Sequence, residues 1–307
     1  MMQRLLPFVT LILLFAGLSV ATPHFCTVVN LSAVIRQTAV INIMALGMTM
    51  IIVAGGIDLS VGSVMALCGL LGAMTMGQGQ PILVGIGVGL LVGAVCGVVN
   101  GLLVTQLKIN PFIVTLGTLG IFRGLSLIFS SGLPVQNMPR DFAYLAEGSI
   151  LHIPFVLCVL FLCAAAVHVL LEHTRMGRYA YAIGSNQEAA FYSGIPVSFH
   201  VTAIYAAGGL LTGLAGMIET SRLMTGQPTA GQGYELQAIA AVVIGGGSLR
   251  GGEGSVVGTL IGAYIMGLLA NGSDLLGISP YLQQAIIGAV IILAVVLDEL
   301  RKRKMAR

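Results

Sequence analysis

The chain has 307 residues, of which 57% are hydrophobic and 8% charged, with a formal net charge of +3. A soluble domain carries about a quarter charged residues, so this composition excludes a water-facing globular surface and leaves lipid as the surrounding medium. The positive charge gathers at the C-terminus, and no nucleic-acid partner is expected.

The charge-free windows are long. Leu59 to Leu107 holds no Asp, Glu, Lys or Arg across 49 residues, and Gln37–Ile57, Gly148–Leu171, Ala189–Ile218, Gly254–Ser273 and Leu275–Leu297 are equally free of them. A spanning helix needs ~20 apolar residues, because the hydrocarbon core is ~30 Å thick and a helix rises ~1.5 Å per residue. The windows lack the alternation of a membrane β-barrel. The predicted fold class is all-α: a polytopic membrane protein of about ten transmembrane helices, one short or broken, in a single domain over 1–307.

Helices are predicted near 5–21, 33–54, 61–77, 82–104, 111–130, 151–171, 199–219, 235–248, 254–272 and 280–298. The first follows Arg4 and resembles a secretory signal, but its 16-residue apolar run, Leu5 to Val20, exceeds the usual 7–15, so it reads as an uncleaved helix. In the fourth, Gly85, Gly89, Gly93 and Gly97 stand four apart, which makes a smooth face for close helix packing. Arg123 in the fifth must face protein or the cytoplasmic interface. The outer loop Ser131–Ile150, with Arg140, Asp141 and Glu147, reads either as a surface for a partner or as a solvated connection. Glu172 to Ser198 is the long cytoplasmic loop, with a helix expected around Asn186–Ser193. Glu219 and Arg222 are three apart and suited to an ion pair. The eighth helix is short enough to be a half-helix that enters and breaks, with Glu235 closing its outer end.

Orientation follows from Lys and Arg, which favour the cytoplasmic side. The tail Arg301, Lys302, Arg303, Lys304 and Arg307 belongs inside. Counting back through ten helices also puts Arg4, Lys108, Arg175, Arg178 and Arg250 inside, so both termini are expected in the cytoplasm.

Two glycine-rich segments interrupt the apolar pattern: Gly55-Gly56-Ile57-Asp58-Leu59-Ser60-Val61-Gly62, and Gly245-Gly246-Gly247-Ser248 through Gly251-Gly252-Glu253-Gly254. Each leads into Gly-Ser-Val, at 62–64 and 254–256, a weak internal echo. Such breaks mark either a transport path or ordinary cytoplasmic turns. Asp58 is suited first to capping the following helix and second to a pore role. Asn42, Thr49, Ser60, Asn100, Thr115, Thr118 and Gln237 are candidates for a path lined by modest hydrogen-bonding groups, or for helix packing.

Cys26, Cys68, Cys96, Cys158 and Cys163 show no paired metal or redox spacing, and the five histidines form no cluster. No metal is expected. No His-Glu-x-x-His and no nucleophile with a nearby base suggests an enzyme. No Gly-x-x-x-x-Gly-Lys-[Ser/Thr] occurs, so the chain itself should bind no cofactor.

In the cytoplasmic loop, Glu188-Ala189-Ala190 is followed after three residues by Gly194. This spacing resembles the Glu-Ala-Ala-x-x-x-Gly motif of bacterial ATP-binding-cassette (ABC) importer permeases, whose short cytoplasmic helix docks into a groove of the ATPase subunit. Of the general motif's continuation only Ile195-Pro196 is present. Gly47-Met48-Thr49 with Ile57 to Ser63, Thr174-Arg175-Met176-Gly177-Arg178 with Ala182-Ile183-Gly184, and Gln227-Pro228-Thr229-Ala230-Gly231 with Gly233-Tyr234-Glu235-Leu236 resemble ribose-type sugar permeases. So do Ile239-Ala240-Ala241-Val242-Val243 and Gly258-Thr259-Leu260-Ile261-Gly262.

The resemblance implies a homodimeric pore in the bacterial inner membrane. It also implies a separate ATPase that uses ATP and Mg, and a periplasmic sugar-binding protein. Arg175, Gly177, Glu188, Ala189, Ala190 and Gly194 become coupling-loop residues. The rival reading is an ion-coupled secondary transporter, for which Asp58 and Glu219 are the available carboxylates.

Overall fold

Some of the apolar windows begin their helices on a capping side chain. Thr27 accepts a hydrogen bond from Asn30 N–H, and Asn110 accepts one from Phe112 N–H just before Pro111, the first residue of its helix. Both devices satisfy amide groups that the first turn leaves unpaired.

A computed structural model describes residues 2–305. The elements in chain order are α1 Met2–Ala21, α2 Val28–Val53, α3 Val61–Gly77, α4 Ile82–Gln106, α5 Pro111–Ser130 and α6 Tyr144–Glu147. A two-stranded antiparallel hairpin follows, β1 Ser149–Ile150 with β2 Ile153–Pro154. Then come α7 Phe155–His173, α8 Arg175–Ser185, α9 Gln187–Tyr192, α10 Val197–Leu223, α11 Tyr234–Ile244, α12 Val256–Leu275 and α13 Pro280–Met305. Arg307, counted toward the basic tail, lies outside the described residues.

All ten expected segments are helical. Six of them (α2, α4, α5, α7, α10 and α12) are long and apolar enough to cross a membrane, and α1, α3, α11 and α13 carry shorter apolar stretches. Several boundaries differ from expectation: α2 starts at Val28 rather than 33, α10 ends at Leu223 rather than 219, α13 ends at Met305 rather than 298, and two more have a clear local cause. The sixth helix starts at Phe155 rather than near 151, because the chain first turns back through the hairpin, with Leu151 and His152 left-handed at φ 49° and 67°. The eighth stops at Ile244 rather than 248. There Gly246, at φ 92°, and Gly247 close the end by donating to the Val243 and Val242 carbonyls, as a left-handed C-terminal cap does.

The centre of the fold is α2, buried at every residue from Thr38 to Val53. A helix apolar all round belongs in a core. Around it stand α7, α10, α11 and α12, and α3 and α4 pack on the far side of α10. The glycine face of α4 is what lets α10 approach. Gly89, Gly93 and Gly97, which face α10, and Gly85, which faces Gly72 and Met76 of α3, are buried while most of that helix is not. A methyl added at Gly97 would meet Ala206 Cα at 2.9 Å, and one at Gly93 would meet Gly213 Cα at 3.0 Å. Backbone lies against backbone, the packing that association within lipid favours.

The connection from α10 to α11 is irregular. Gly226 exchanges backbone hydrogen bonds with Val135 of the outer loop, at 2.7 and 3.0 Å. The chain then runs back beside α3, with Gly226 against Leu70 and Ala73 and Gly231 against Gly62 and Met65. About eight residues of α3 separate those two levels, a descent of about 12 Å. The short α11 therefore begins beside the first turn of α3.

Gly97→Ala should cost about 1–3 kcal/mol by overpacking. Gly87→Ala, whose added methyl meets nothing within 4 Å, should cost nothing of that kind. Thermal unfolding of the detergent-solubilised variants tests this: the first melts earlier than wild type and the second does not, and equal melting would refute the close approach.

Candidate functional site: two chain breaks and a protruding elbow

The first break begins where α2 ends. Gly55 and Gly56 donate to the Ile52 and Ile51 carbonyls and close the helix. The next carbonyl, that of Ile57, accepts from the Tyr205 hydroxyl at 3.1 Å and the Thr115 hydroxyl at 3.2 Å. Asp58 Oδ1 accepts from Ser60 N–H at 2.8 Å and from the Ser60 hydroxyl at 2.6 Å. Asn100 Nδ2 donates to Ser60 Oγ at 2.8 Å and reaches Asp58 Oδ2 at 3.4 Å. Asp58, Ser60, Asn100, Thr115 and Tyr205 are at most 2% exposed. A buried carboxylate is tolerated when hydrogen-bonded. Here Asp58 ties down the turn that leads into α3 by accepting from Ser60, the N-cap residue, and no side chain caps that helix.

The sequence candidates thus divide. Asp58, Ser60, Asn100 and Thr115 converge on this break, and Thr118 lies one turn along α5, its hydroxyl directed at the Thr115 carbonyl at 3.4 Å. Thr49 lies elsewhere, bonded to Thr259 at 2.6 Å across the α2–α12 contact, and Asn42 donates to the Thr38 carbonyl within α2. Gln237 sits half-buried on the first turn of α11. Tyr205 went unnoticed in the sequence; a tyrosine hydroxyl inside an apolar helix requires a partner, and that requirement was its only signal.

The second break touches the first. Gly252 N–H donates to the Val53 carbonyl at 2.9 Å. A methyl added at Gly251 would lie 2.9 Å from both Gly55 Cα and Gly184 Cα. Gly184, near the end of α8, is pressed against the Val53 carbonyl and Gly252 N. The Gly-Ser-Val echo is not a structural one. Ser255 caps α12 by accepting from Gly258 N–H, whereas Ser63 lies inside the first turn of α3 and Ser60 precedes that helix.

The loop 172–198 is more helical than expected. Thr174 caps α8 by accepting from Gly177 N–H, and Gly177, Ala180 and Ile183 form its buried face. Gly177 leaves no room for a side chain beneath the Leu170 and Leu171 carbonyls, while Arg175 and Arg178 are exposed. The Tyr181 hydroxyl donates to the Gly254 carbonyl at 2.8 Å. Burial, with Glu172 nearby, pushes that hydroxyl up to about 12, so it remains a donor at neutral pH.

Asn186 caps α9 by accepting from Ala189 N–H. Glu188, Ala189, Phe191 and Tyr192 are exposed and Ala190 is buried. Gly194, at φ 81°, ends the turn by donating to the Phe191 carbonyl. A cavity of about 760 Å³ opens between α9, the first break and the α4–α5 turn, lined by Gly55, Gly56, Lys108, Asn110, Glu188 and Tyr205 among others.

Two ion pairs brace the other end. Arg222 pairs with Glu219 at 2.8 Å, as its spacing suggested, and Arg36 pairs with Glu147 of the outer loop. Glu235 Oε1 accepts from Gly233 N–H at the start of α11. Arg123 faces protein, donating to the Pro228 and Ala230 carbonyls at 2.7 and 2.8 Å. Among the described residues no three His, Cys, Asp or Glu side chains gather as a metal site.

Residues 30–295 match the family described as the branched-chain amino acid transport system / permease component. The chain is similar to the ribose import permease protein RbsC of Escherichia coli strain K12, 44% identical over 294 residues that cover 94% of this chain and 92% of the relative. It is 45% identical to RbsC of Bacillus subtilis strain 168 over 299 residues, 97% and 93% of the two chains. The D-allose transport system permease protein AlsC of Escherichia coli K12 is 38% identical over 283 residues, 92% and 87% of the two chains. No solved structure matches. The chain therefore belongs to this permease family: it is a multi-pass membrane subunit of an ABC import system and not an enzyme.

Proposed function

We propose that this chain forms one half of a homodimeric pore that imports a monosaccharide, with ribose the favoured cargo because the relatives with 44–45% identity are ribose permeases. In this reading the 307 residues make one transmembrane domain of about ten helices in the inner membrane, with both termini in the cytoplasm. A periplasmic binding protein delivers the sugar to the outer face. A separate ATPase, using ATP and Mg, engages the loop 172–198.

The observation that carries the reading is the elbow made by α8 and α9. The outward face of α9 presents Glu188 and Ala189 with the aromatic rings of Phe191 and Tyr192, 65% and 85% exposed, to solvent. Large exposed aromatics rimmed by polar residues suit a docking surface. The inward side of the elbow is pinned through Gly184 and Tyr181 to both chain breaks. A push on α9 is thus carried to the inner ends of α2, α11 and α12. The ATPase moves this equilibrium only by the difference in its affinity for the two permease states.

The buried polar group around Asp58 holds the first break closed inside the protomer. It serves the path by keeping the inner end of α2 in register with the elbow. Asn42 and Thr49 serve packing in the same way.

Two kinds of variant test the assignment in proteoliposomes containing the ATPase and the binding protein. Glu188→Lys, or Gly194→Leu, which strains a left-handed position by roughly 1–2 kcal/mol, should weaken ATPase co-purification and cut ribose uptake at least about tenfold, an effect of ~1.4 kcal/mol. Wild-type uptake in both would remove the docking role from α9. Gly184→Ala leaves that docking face untouched but wedges the elbow away from the breaks. It should retain the ATPase and its ATP hydrolysis while uptake is lost. If Gly184→Ala transports normally, the elbow does not act through this junction.

A further inference from the structure

Irregular backbone at membrane depth is tolerated only where protein buries it or water lines it, because lipid satisfies neither N–H nor C=O groups. The segment 224–233 is such backbone: it lacks helical structure and lies beside the apolar α3 between the levels of Ala73 and Gly62. Its inner side is accounted for. Arg123 takes the Pro228 and Ala230 carbonyls, and Gly62 admits the Gly231 carbonyl and the Glu235 carboxylate at close range.

Its other side is open. Thr229 and Gln232 are exposed on the protomer, Gln227 is half-buried, and Gln227 Nε2 donates to Thr229 Oγ1 at 3.1 Å. Polar groups left against hydrocarbon would cost several kcal/mol each, so lipid does not cover this edge. The edge also carries no fixed charge. Amide and hydroxyl groups offer both donors and acceptors, the chemistry that suits a neutral, hydroxyl-rich solute passing with weak binding.

We infer that this re-entrant segment forms part of the wall of the aqueous passage, with Gln227, Thr229 and Gln232 as its hydrogen-bonding lining for the sugar. The inference rests on the permease reading above and adds to it the place where cargo meets the chain. Arg123 holds the segment from behind.

The test introduces Thr229→Cys and, separately, Gln232→Cys into a variant in which the five native cysteines are replaced, reconstituted with the ATPase and binding protein. A hydrophilic, membrane-impermeant methanethiosulfonate reagent should modify both positions, and modification should abolish uptake of radiolabelled ribose while ATP hydrolysis continues. Phe161→Cys, at an exposed apolar position on α7, should stay unmodified. Absence of labelling at both 229 and 232 would overturn the inference. So would an oxidative cross-link joining two copies through either position, which would mark the edge as a dry contact between protomers. Uptake by the unmodified parent is a separate check. A parent that moves no ribose counts against the cargo assignment, while the labelling reads the passage whatever the cargo.

Discussion

Everything in this fold answers to the need of backbone groups for partners where water is scarce. Helices meet the need within themselves, so the places to understand are where helices stop. Where α2 ends, the Val53 carbonyl is taken by Gly252 and the Ile57 carbonyl of the following turn by Tyr205 and Thr115. At the descent beside α3 they are taken by Arg123. In each case a side chain or amide from a distant part of the sequence does what water would do in a soluble loop. Glycine makes this possible, because the donors approach only where Cβ atoms are missing, as at Gly184, Gly251 and Gly62.

The same constraint links structure to transport. The two breaks meet through the Gly252–Val53 hydrogen bond, and the α8–α9 elbow is seated on their junction. Interfaces packed backbone to backbone are stiff and shift between discrete arrangements rather than deforming smoothly. In the proposed coupling, displacing the elbow moves the adjoining ends of α2, α11 and α12 together. The carboxylate of Asp58, 2% exposed, is held in this junction by hydrogen bonds from Ser60 and Asn100.

Much of this was legible in the sequence. The ten helical segments follow from charge-free windows punctuated by glycine and proline, and the α4 glycine face and the Glu219–Arg222 pair from helical spacing. The short helix α9 was expected around Asn186–Ser193, from the spacing of Glu188, Ala189, Ala190 and Gly194. What was not legible is long-range. Nothing in the order of residues shows that Gly55 meets Gly251, that Tyr205 bonds Ile57, or that Arg123 reaches past a hundred residues to Pro228. Helix α8 was obscured by its low apolar content within a polar stretch, although Gly177, Ala180 and Ile183 repeat every three residues on the side away from Arg175 and Arg178. The Gly-Ser-Val echo misled in detail, since equal triplets sit at unequal places relative to their helices.

The central claim is that this chain is a conduit without an engine of its own, moved through its cytoplasmic elbow by a partner that hydrolyses ATP. Ribose uptake against a gradient, measured in vesicles under imposed proton or sodium gradients and again with the ATPase, binding protein and ATP, tests it most directly. The account predicts accumulation only in the second case. Accumulation by the chain alone, driven by either ion gradient, would contradict it.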